Sequence, residues 1–306
     1  MKKIFTIDIG GTKVKYGVIT ERGEILEKGI MDTRGELGVD NLLKRLFIFI
    51  ESYEEKFSGI SISCSGQIDS KIGKIIGGTP IINNWVGTEL KQIFQKKYNI
   101  PCEIENDVNC AALGELWQGA AKNEKDFLCI TIGTGIGGGI IINKEIYAGN
   151  IGIAGELGHF QLIKNGKICT CGKKGCYEQY SSTNALIEQV EMCTGHRFTG
   201  KEIFKLAQEG NQIYIDIINN WIDYITDGLS ILIQIFNPKL LIIGGGVSEQ
   251  KNYLLEKISS SLNFKVHPNY LNNFIIKTAQ CGNDAGLIGA AYNLIKKLEK
   301  GEKNEF

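Results

Sequence analysis

The sequence predicts an α/β protein with two domains. Its 306 residues are enough for about two domains of ordinary size, each with its own core. Apolar runs typical of strands alternate with segments of helical composition, as in layered α/β proteins. A pattern typical of a glycine-turned β-hairpin also occurs twice, about one domain length apart.

The repeated pattern covers residues 5–12 and 128–135. In each copy an apolar run enters a glycine turn, and a second apolar run follows at residues 14–20 or 139–142. A polar turn then ends each copy. We therefore predict the same hairpin once per domain, with two unrelated glycine turns as the alternative.

The remaining elements complete the two domains. We predict strands at residues 59–64, 100–104 and 239–243, and helices at residues 107–117, 221–236 and 283–300. We place the boundary near Gly119, which gives an N-terminal α/β domain of residues 1–118 and a larger C-terminal α/β domain of residues 119–283. The final helix, residues 284–306, is predicted to pack back on the first domain.

Composition excludes several classes of protein. Lys+Arg and Asp+Glu number 34 each, and a net charge of zero argues against a nucleic-acid partner. No apolar run approaches the roughly 18 residues that a membrane span needs. Asp8 interrupts the first apolar run too early for a signal peptide, so we expect a cytoplasmic protein.

The cysteines fall into two groups. Their number, nine, is odd, which argues against a disulfide framework. We expect six scattered cysteines to be small buried hydrophobic residues: Cys64, Cys102, Cys110, Cys129, Cys193 and Cys281. The other three, Cys169, Cys171 and Cys176, lie within eight positions and call for another explanation.

A metal site explains the clustered cysteines. One imidazole, from His159, and these three thiolates suit a closed tetrahedral Zn²⁺ site of the structural kind. Such a site leaves no open position on the metal, which disfavours a zinc-dependent hydrolase. The ion would hold the segments that carry Glu156 and Glu178 near each other, and the domain of residues 119–283 would then contain this zinc knuckle.

The glycine turns suggest phosphate binding. Residues 133–138 match G-x-G-x-x-G, but a strand follows instead of the helix that a dinucleotide site requires. The alternative is that the two hairpin turns, with the hydroxyls of Thr12 and Thr134, face one polyphosphate from both sides. Asp8 then holds Mg²⁺ directly or through water. Tight turns without a ligand remain the competing interpretation.

A second polar motif, Glu105-Asn106-Asp107, precedes a predicted helix. A carboxylate at a helix N-terminus stays ionised, and an ionised Asp107 can accept a proton from an attacking sugar hydroxyl. The competing interpretation is a plain N-cap, which an Asn-Asp pair serves well.

Together these motifs resemble the ROK family of sugar kinases over essentially the whole chain. They are Asp8-x-Gly10-Gly11-Thr12-Lys13, Glu105-Asn106-Asp107, Gly133-Thr134-Gly135-Ile136-Gly137-Gly138-Gly139, Gly155-Glu156-x-Gly158-His159, Cys169-x-Cys171-Gly172-x-x-Gly175-Cys176-x-Glu178, Gly244-Gly245-Gly246 and Asn283-Asp284-Ala285-Gly286. The resemblance implies an actin-like ATPase (ribonuclease H-like) fold, with two α/β domains and a cleft between them. It also implies phosphoryl transfer from Mg·ATP to a hexose hydroxyl, usually O6.

The resemblance assigns roles to individual residues. Asp107 matches the catalytic base, and the sugar contacts match Gly66, Asn106, Asp107, Glu156, His159 and Glu178. The nucleotide and its magnesium match Asp8, Gly10, Gly11, Thr12, Lys13, Gly133, Thr134, Gly135, Gly244, Gly245 and Gly246. His159 is also implied as a zinc ligand beside the three cysteines.

The sugar stays open at this point. A glucose-type hexose is the leading expectation, N-acetylmannosamine or another N-acetylhexosamine is the runner-up, and a β-glucoside or fructose is less favoured. Ser65-Gly66 replaces a Pro-Gly pair that often occurs in the family, which leaves the substrate uncertain. A sugar-binding regulatory protein is the non-enzymatic alternative, because many members of the family act as repressors. Those members carry an N-terminal DNA-binding segment, which we do not expect here. We expect a homodimer.

Overall fold

The computed structural model describes residues 1–53, 56–78 and 82–304 and shows a mixed α/β protein. The strands are β1 (Lys3–Ile9), β2 (Lys13–Thr20), β3 (Ile25–Asp32), β4 (Gly59–Cys64), β5 (Gln67–Asp69), β6 (Lys74–Gly77), β7 (Cys102–Asn106), β8 (Phe127–Ile132), β9 (Ile136–Ile142), β10 (Glu145–Ile146), β11 (Leu240–Gly244) and β12 (Ile275–Thr278). The helices are α1 (Gly38–Glu51), α2 (Leu90–Tyr98), α3 (Asp107–Gln118), α4 (Glu178–Ser181), α5 (Thr183–Thr194), α6 (Gly200–Gln208), α7 (Gln212–Phe236), α8 (Lys251–Lys265), α9 (Pro268–Leu271) and α10 (Ala285–Asn304).

The chain divides into two compact units. Unit 1 consists of Met1–Asn123, Glu145–Ala154 and Cys281–Phe306, and unit 2 consists of Glu124–Lys144 and Gly155–Gln280. Three segments that we assigned to the C-terminal domain therefore group with unit 1, namely residues 119–123, 145–154 and 281–283. Residues 305–306 of the predicted final helix lie outside the described residues.

Unit 1 is built on one five-stranded sheet in the order β3-β2-β1-β4-β7. Strands β1, β4 and β7 are parallel, while β2 and β3 continue as an antiparallel meander. All six residues of β4 are buried, as expected for a central strand covered on both faces. Helices α3 and α10 pack on each other, and α10 also contacts β1 and β4. Because β1, β4 and β7 are parallel, their carboxyl ends lie together at one edge of the sheet.

Unit 2 repeats part of this plan. Its strands run in the order β9-β8-β11-β12, with β8 and β9 antiparallel and β8, β11 and β12 parallel. The long helix α7 carries much of the core, including Trp221, whose indole N–H donates to the carbonyl of Ser182 at 2.9 Å. Both predicted hairpins are therefore present, β1/β2 in unit 1 and β8/β9 in unit 2.

Several boundaries differ from the predicted ones. Helix α7 begins at Gln212, nine positions before the predicted start, because Asn211 caps it by accepting the N–H of Ile213 at 3.2 Å. Strand β7 continues to Asn106, two residues beyond its predicted end, because it pairs with β4 up to that residue. Helix α10 begins at Ala285, after a short 3₁₀ turn.

Two expectations for the scattered cysteines were wrong. Cys193 is exposed on α5 and Cys281 is half-buried, whereas Cys64, Cys102, Cys110 and Cys129 are buried as predicted. Within the described ranges 1–53, 56–78 and 82–304, no helix is long and apolar enough to cross a membrane.

Candidate active site

The carboxyl ends of β1, β4 and β7 bring the predicted polar residues of unit 1 to one sheet edge. Asp8 lies opposite Ser63 in the β1/β4 register, and Asn106 lies opposite Cys64 in the β4/β7 register. Asp107 follows Asn106 as the first residue of α3. Three parallel strands thus end in a cluster of carboxylate, amide and hydroxyl groups.

Asn106 is the N-cap of α3. Its Oδ1 accepts the N–H groups of Val108 at 2.9 Å and Asn109 at 3.2 Å, so the plain capping interpretation is correct for this residue. Its Nδ2 also donates to the carbonyl of Gly66 at 3.0 Å, which ties the cap to the loop after β4. Asp107 is left free of the capping role.

Asp107 has the properties of a general base. Burial and, to a smaller extent, the negative charge of Asp8 raise the pKa of Asp107 to about 6, although the N–H of Val108, 2.9 Å from Oδ1, acts in the opposite direction. A base whose pKa lies close to neutral pH is mostly ionised there and still binds a proton well. The carboxylate can therefore accept a proton from a hydroxyl group.

Glu105 supports this edge from below and was not singled out as a site residue by the sequence. Its side chain is 3% exposed, and its carboxylate accepts the N–H of Asn106 at 2.9 Å and the amide Nδ2 of Asn109 at 3.0 Å. Burial raises the pKa of Glu105. In the sequence, the only indication of this role is the position of Glu105 directly before Asn106, and a polar residue at that position is equally typical of a loop.

Asp8 is held on both carboxylate oxygens. The hydroxyl of Ser63 donates to Oδ1 at 2.6 Å, and the ammonium of Lys15 lies 3.4 Å from Oδ2. Neither Ser63 nor Lys15 was predicted as a site residue, although the hairpin register places Lys15 directly opposite Asp8. A carboxylate at this edge is a ligand type that Mg²⁺ prefers.

The first glycine turn is closed by local hydrogen bonds. The N–H of Gly10 donates to the carbonyl of Lys13 at 3.0 Å, and the hydroxyl of Thr33 donates to the carbonyl of Gly10 at 2.7 Å. Thr12 and Lys13 are exposed, as a phosphate loop requires. Lys13 also forms an ion pair with Asp32, and this ion pair holds the pKa of Asp32 below its ordinary value.

The glycine loops of unit 2 share one sheet edge. Parallel β8 and β11 pair so that Gly244 lies opposite Thr131, and the loops at residues 133–135 and 244–246 follow these strands. Gly245 has φ of 81°, and a Cβ there would lie 2.3 Å from the carbonyl oxygen of Ile132, so only glycine fits. A Cβ built on Gly133 or Gly246 would meet nothing within 4 Å among the described residues.

A second polar cluster of unit 2 surrounds His159. Its Nε2 lies 3.8 Å from the carboxylate of Glu156, and its Nδ1 lies 3.8 Å from that of Glu178. The other oxygen of Glu178 accepts the N–H of Ile136 at 3.4 Å, directly after the glycine loop. The three predicted sugar contacts of this unit, Glu156, His159 and Glu178, are therefore brought together.

The four predicted zinc ligands also come together. One ligand atom from each of His159, Cys169, Cys171 and Cys176 lies within 4.8 Å of the others. Nδ1 of His159 is 3.6 Å from Sγ of Cys169, and Sγ of Cys171 is 3.6 Å from Sγ of Cys176. Four donors around Zn²⁺ at 2.0–2.3 Å would be separated by about 3.5–3.8 Å, so this donor set fits the ion.

The sequence is similar to those of known proteins over nearly its whole length. The family model described as ROK family matches residues 4–297. A glucokinase of Halalkalibacterium halodurans is 32% identical (98% of each chain covered), and a beta-glucoside kinase of Listeria monocytogenes is 34% identical (98% of this chain and 100% of that one).

Solved structures agree with this family. A ROK family glucokinase from Streptomyces griseus, in complex with glucose and AMPPNP, superposes with a TM-score of 0.83 at 30% identity, covering 96% of this chain and 99% of that one. A proposed N-acetylmannosamine kinase from Listeria monocytogenes gives 0.86 at 33% identity, with 97% and 99% covered. These structures share the actin-like ATPase fold with this chain. The protein is therefore a member of the ROK family.

Proposed function

We propose that the protein is an ATP-dependent hexose kinase that transfers the γ-phosphoryl group of Mg·ATP to a sugar hydroxyl, O6 of a glucose-type hexose. The observation that carries the proposal is Asp107, a carboxylate at the start of α3 whose pKa is raised to about 6. Likeness to glucokinases in sequence and in structure supports the same activity.

The proton is removed by Asp107. As the sugar hydroxyl attacks phosphorus, its oxygen loses the proton to the carboxylate, and the bond between the γ-phosphorus and the bridging oxygen of ADP breaks. Phosphoryl transfer depends mainly on positioning and on neutralising charge, so the protein needs one base and several fixed donors. Asn106, fixed by its capping bonds, and Gly66 are the sugar contacts that we propose for unit 1.

The nucleotide is bound by the glycine loops and Asp8. Asp8 would hold Mg²⁺, which supplies positive charge to the phosphate oxygens when bound. In unit 1 we propose the backbone N–H groups of residues 11–13 as phosphate donors, in the turn that the N–H of Gly10 closes. In unit 2 we propose Thr134 and Gly135 as phosphate donors, in the turn that the N–H of Gly133 closes by donating to the carbonyl of Gly135, and the segment 244–246 as the nucleotide contact.

The zinc cluster supports the sugar contacts of unit 2. We propose that His159, Cys169, Cys171 and Cys176 hold a structural Zn²⁺, and that Glu156 and Glu178 contact the sugar beside it. Glu178 lies two residues after Cys176, as the first residue of α4. Fixing the cysteines therefore also fixes this carboxylate.

The activity is tested by a coupled assay for ADP release. Purified protein is mixed with Mg·ATP and one of five sugars: glucose, N-acetylmannosamine, N-acetylglucosamine, fructose or cellobiose. Each reaction is also run without the protein as a blank. We expect the fastest turnover on glucose. Preference for N-acetylmannosamine would support the runner-up, which the likeness to the proposed Listeria kinase favours.

The same assay tests the non-enzymatic alternative. No turnover on any sugar, together with measurable sugar binding by calorimetry, would contradict the kinase proposal and support a sugar-binding regulatory protein. The homodimer and the cytoplasmic location stay predictions.

A further inference from the structure

One lysine next to Asp8 was not among the predicted site residues. Lys15 lies on β2 directly opposite Asp8, and its Nζ is 3.4 Å from Oδ2 of that carboxylate. The same ammonium donates to the carbonyl oxygen of Asn283 at 2.8 Å. Asn283 belongs to the 3₁₀ turn Gly282–Asp284, directly before α10. One positive charge thus joins β1, β2 and the start of α10.

The carboxylate of Asp8 is enclosed on its other sides. Ser63, which is fully buried, donates to Oδ1 at 2.6 Å. Gly286 approaches so closely that a Cβ there would lie 2.8 Å from the carboxylate, so a larger residue would displace the Asp8 side chain. The Asp8 side chain keeps 15% of its surface exposed. Its orientation is therefore fixed while a small part of it still faces solvent.

Lys13 is a poorer candidate for neutralising this carboxylate, although it belongs to the predicted phosphate loop. Its side chain is 53% exposed, and its ammonium pairs with Asp32, which is 52% exposed. The Lys15 side chain is only 32% exposed. Within the described part of the chain, Lys15 is the lysine that forms an ion pair with Asp8.

We propose that Lys15 is a positioning residue for the kinase reaction, which holds the Asp8 carboxylate in place and offsets its negative charge so that nucleotide phosphates can bind at this edge. The inference rests on the proposed kinase function. Phosphate groups and the carboxylate of Asp8 repel each other. An ammonium group fixed close to this carboxylate reduces the repulsion even when no metal ion is bound.

The charge of Lys15 and that of a bound metal should partly replace each other. ATP without a metal carries more negative charge than Mg·ATP, and it depends more on the protein's own cations. Removing the ammonium should therefore weaken binding of metal-free ATP more than binding of Mg·ATP. A side chain with a merely structural role would weaken both forms alike.

The test uses Lys15→Gln, which keeps a donor for Asn283 but loses the charge, together with Lys15→Met and Lys15→Arg. The matched control is Lys28→Met. Lys28, on β3, forms an ion pair with Asp284 of the same 3₁₀ turn at 2.7 Å, so Lys28→Met also removes a positive charge that contacts this turn. Among the described residues, Lys28 has no ion pair with Asp8. Calorimetry measures ATP binding in EDTA and in excess Mg²⁺, and steady-state kinetics give the KM of the sugar.

We expect Lys15→Gln and Lys15→Met to bind metal-free ATP about tenfold more weakly and Mg·ATP about threefold more weakly, as for the loss of one nearby charge. The KM of the sugar should stay unchanged, and Lys15→Arg should recover most of the affinity. Lys28→Met should behave as the wild type.

Three results would overturn the inference. They are unchanged nucleotide affinity in both Lys15→Gln and Lys15→Met, an equal loss for both forms of ATP, and an equal loss in Lys28→Met. A wild-type protein that binds ATP in neither form would instead overturn the kinase proposal itself, and with it the inference. The wild-type measurement therefore separates the two failures.

Discussion

At the scale of single residues, the candidate site contains two carboxylates at the carboxyl ends of β1 and β7, which lie on either side of β4 in one sheet. Asp8 pairs with the ammonium of Lys15 and accepts the hydroxyl of Ser63, whereas Asp107 is half-buried, and desolvation together with the charge of Asp8 raises the pKa of Asp107 to about 6. The two acids are thereby separated in role. Asp8 is placed to hold a cation, and Asp107 is suited to exchange a proton near neutral pH.

Replacing the base tests this division. We expect Asp107→Asn to lower kcat by about 10²–10⁴-fold, because an amide cannot accept the proton, while sugar affinity stays within about threefold of the wild type. Steady-state kinetics and sugar titration measure the two quantities. Asp40→Asn, an exposed carboxylate of α1, is the control. A near-normal kcat in Asp107→Asn would remove the residue from its role.

The same variant has a second, pH-dependent effect on stability. The folded-state pKa of Asp107 lies above its ordinary value of 3.8, so the folded protein binds this proton more tightly than the unfolded chain does. Ionisation at Asp107 therefore costs stability as the pH rises from about 4 to about 6.

We accordingly expect Asp107→Asn to melt at a higher temperature than the wild type at pH 7, with the difference shrinking towards pH 4. Thermal unfolding followed by circular dichroism across this range measures the effect. A difference that stays constant with pH, or a lower melting temperature at pH 7, would show that the carboxylate is not destabilised in the folded protein.

At the scale of elements, the polar ends of strands and helices were the hardest features to predict. Residues 105–106 look like loop because they are polar, yet they continue β7 through pairing with β4, and Glu105 is buried. The first turns of α7 are rich in isoleucine, which favours strand as much as helix, and only the cap at Asn211 decides. Local composition does not show which strand or capping side chain will form hydrogen bonds with the backbone of a segment.

The proposed zinc cluster of His159, Cys169, Cys171 and Cys176 is the element whose removal should affect substrate binding. We expect Cys171→Ser, or treatment with a strong chelator, to raise the KM of the sugar and lower the melting temperature, because Glu178 follows Cys176 by two residues and would no longer be held by the metal cluster. Metal content by emission spectroscopy, KM and thermal unfolding give the readouts. Cys193→Ser, an exposed thiol of α5 outside the cluster, is the control.

If the metal-free protein kept the KM and the melting temperature of the untreated enzyme, the cluster would have no part in shaping the sugar site. An equal change in Cys193→Ser would mean that the effect comes from thiol loss in general.

At the scale of the whole molecule, motif order and the repeated hairpin predicted the family and the α/β fold correctly. Lys15 and Ser63 were missed because their roles depend on which strand lies beside which. The sequence gives each strand but not the register that sets Lys15 opposite Asp8. The segment Glu145–Ala154 groups with unit 1, whereas the boundary predicted near Gly119 assigns it to the C-terminal domain.

Helix α10 shows how the distant end of the chain completes unit 1. Leu294 is 1% exposed in a cluster with Ile4 and Ile19. We expect Leu294→Ala to destabilise the protein by about 2–5 kcal/mol, as for other large-to-small core changes, measured by urea unfolding. Ile235→Ala, at a position that is 67% exposed on α7, should have little effect. Equal unfolding midpoints for the two variants would contradict a core role for α10.

The composition of unit 1 from separate stretches of chain has a consequence for how the protein is made. Its first stretch leaves the ribosome early but lacks its last helix until translation reaches the segment that begins at Cys281. Unit 2, encoded in between, has all of its residues sooner. The part synthesised first should thus reach its native state last, and it would need protection from aggregation while it waits.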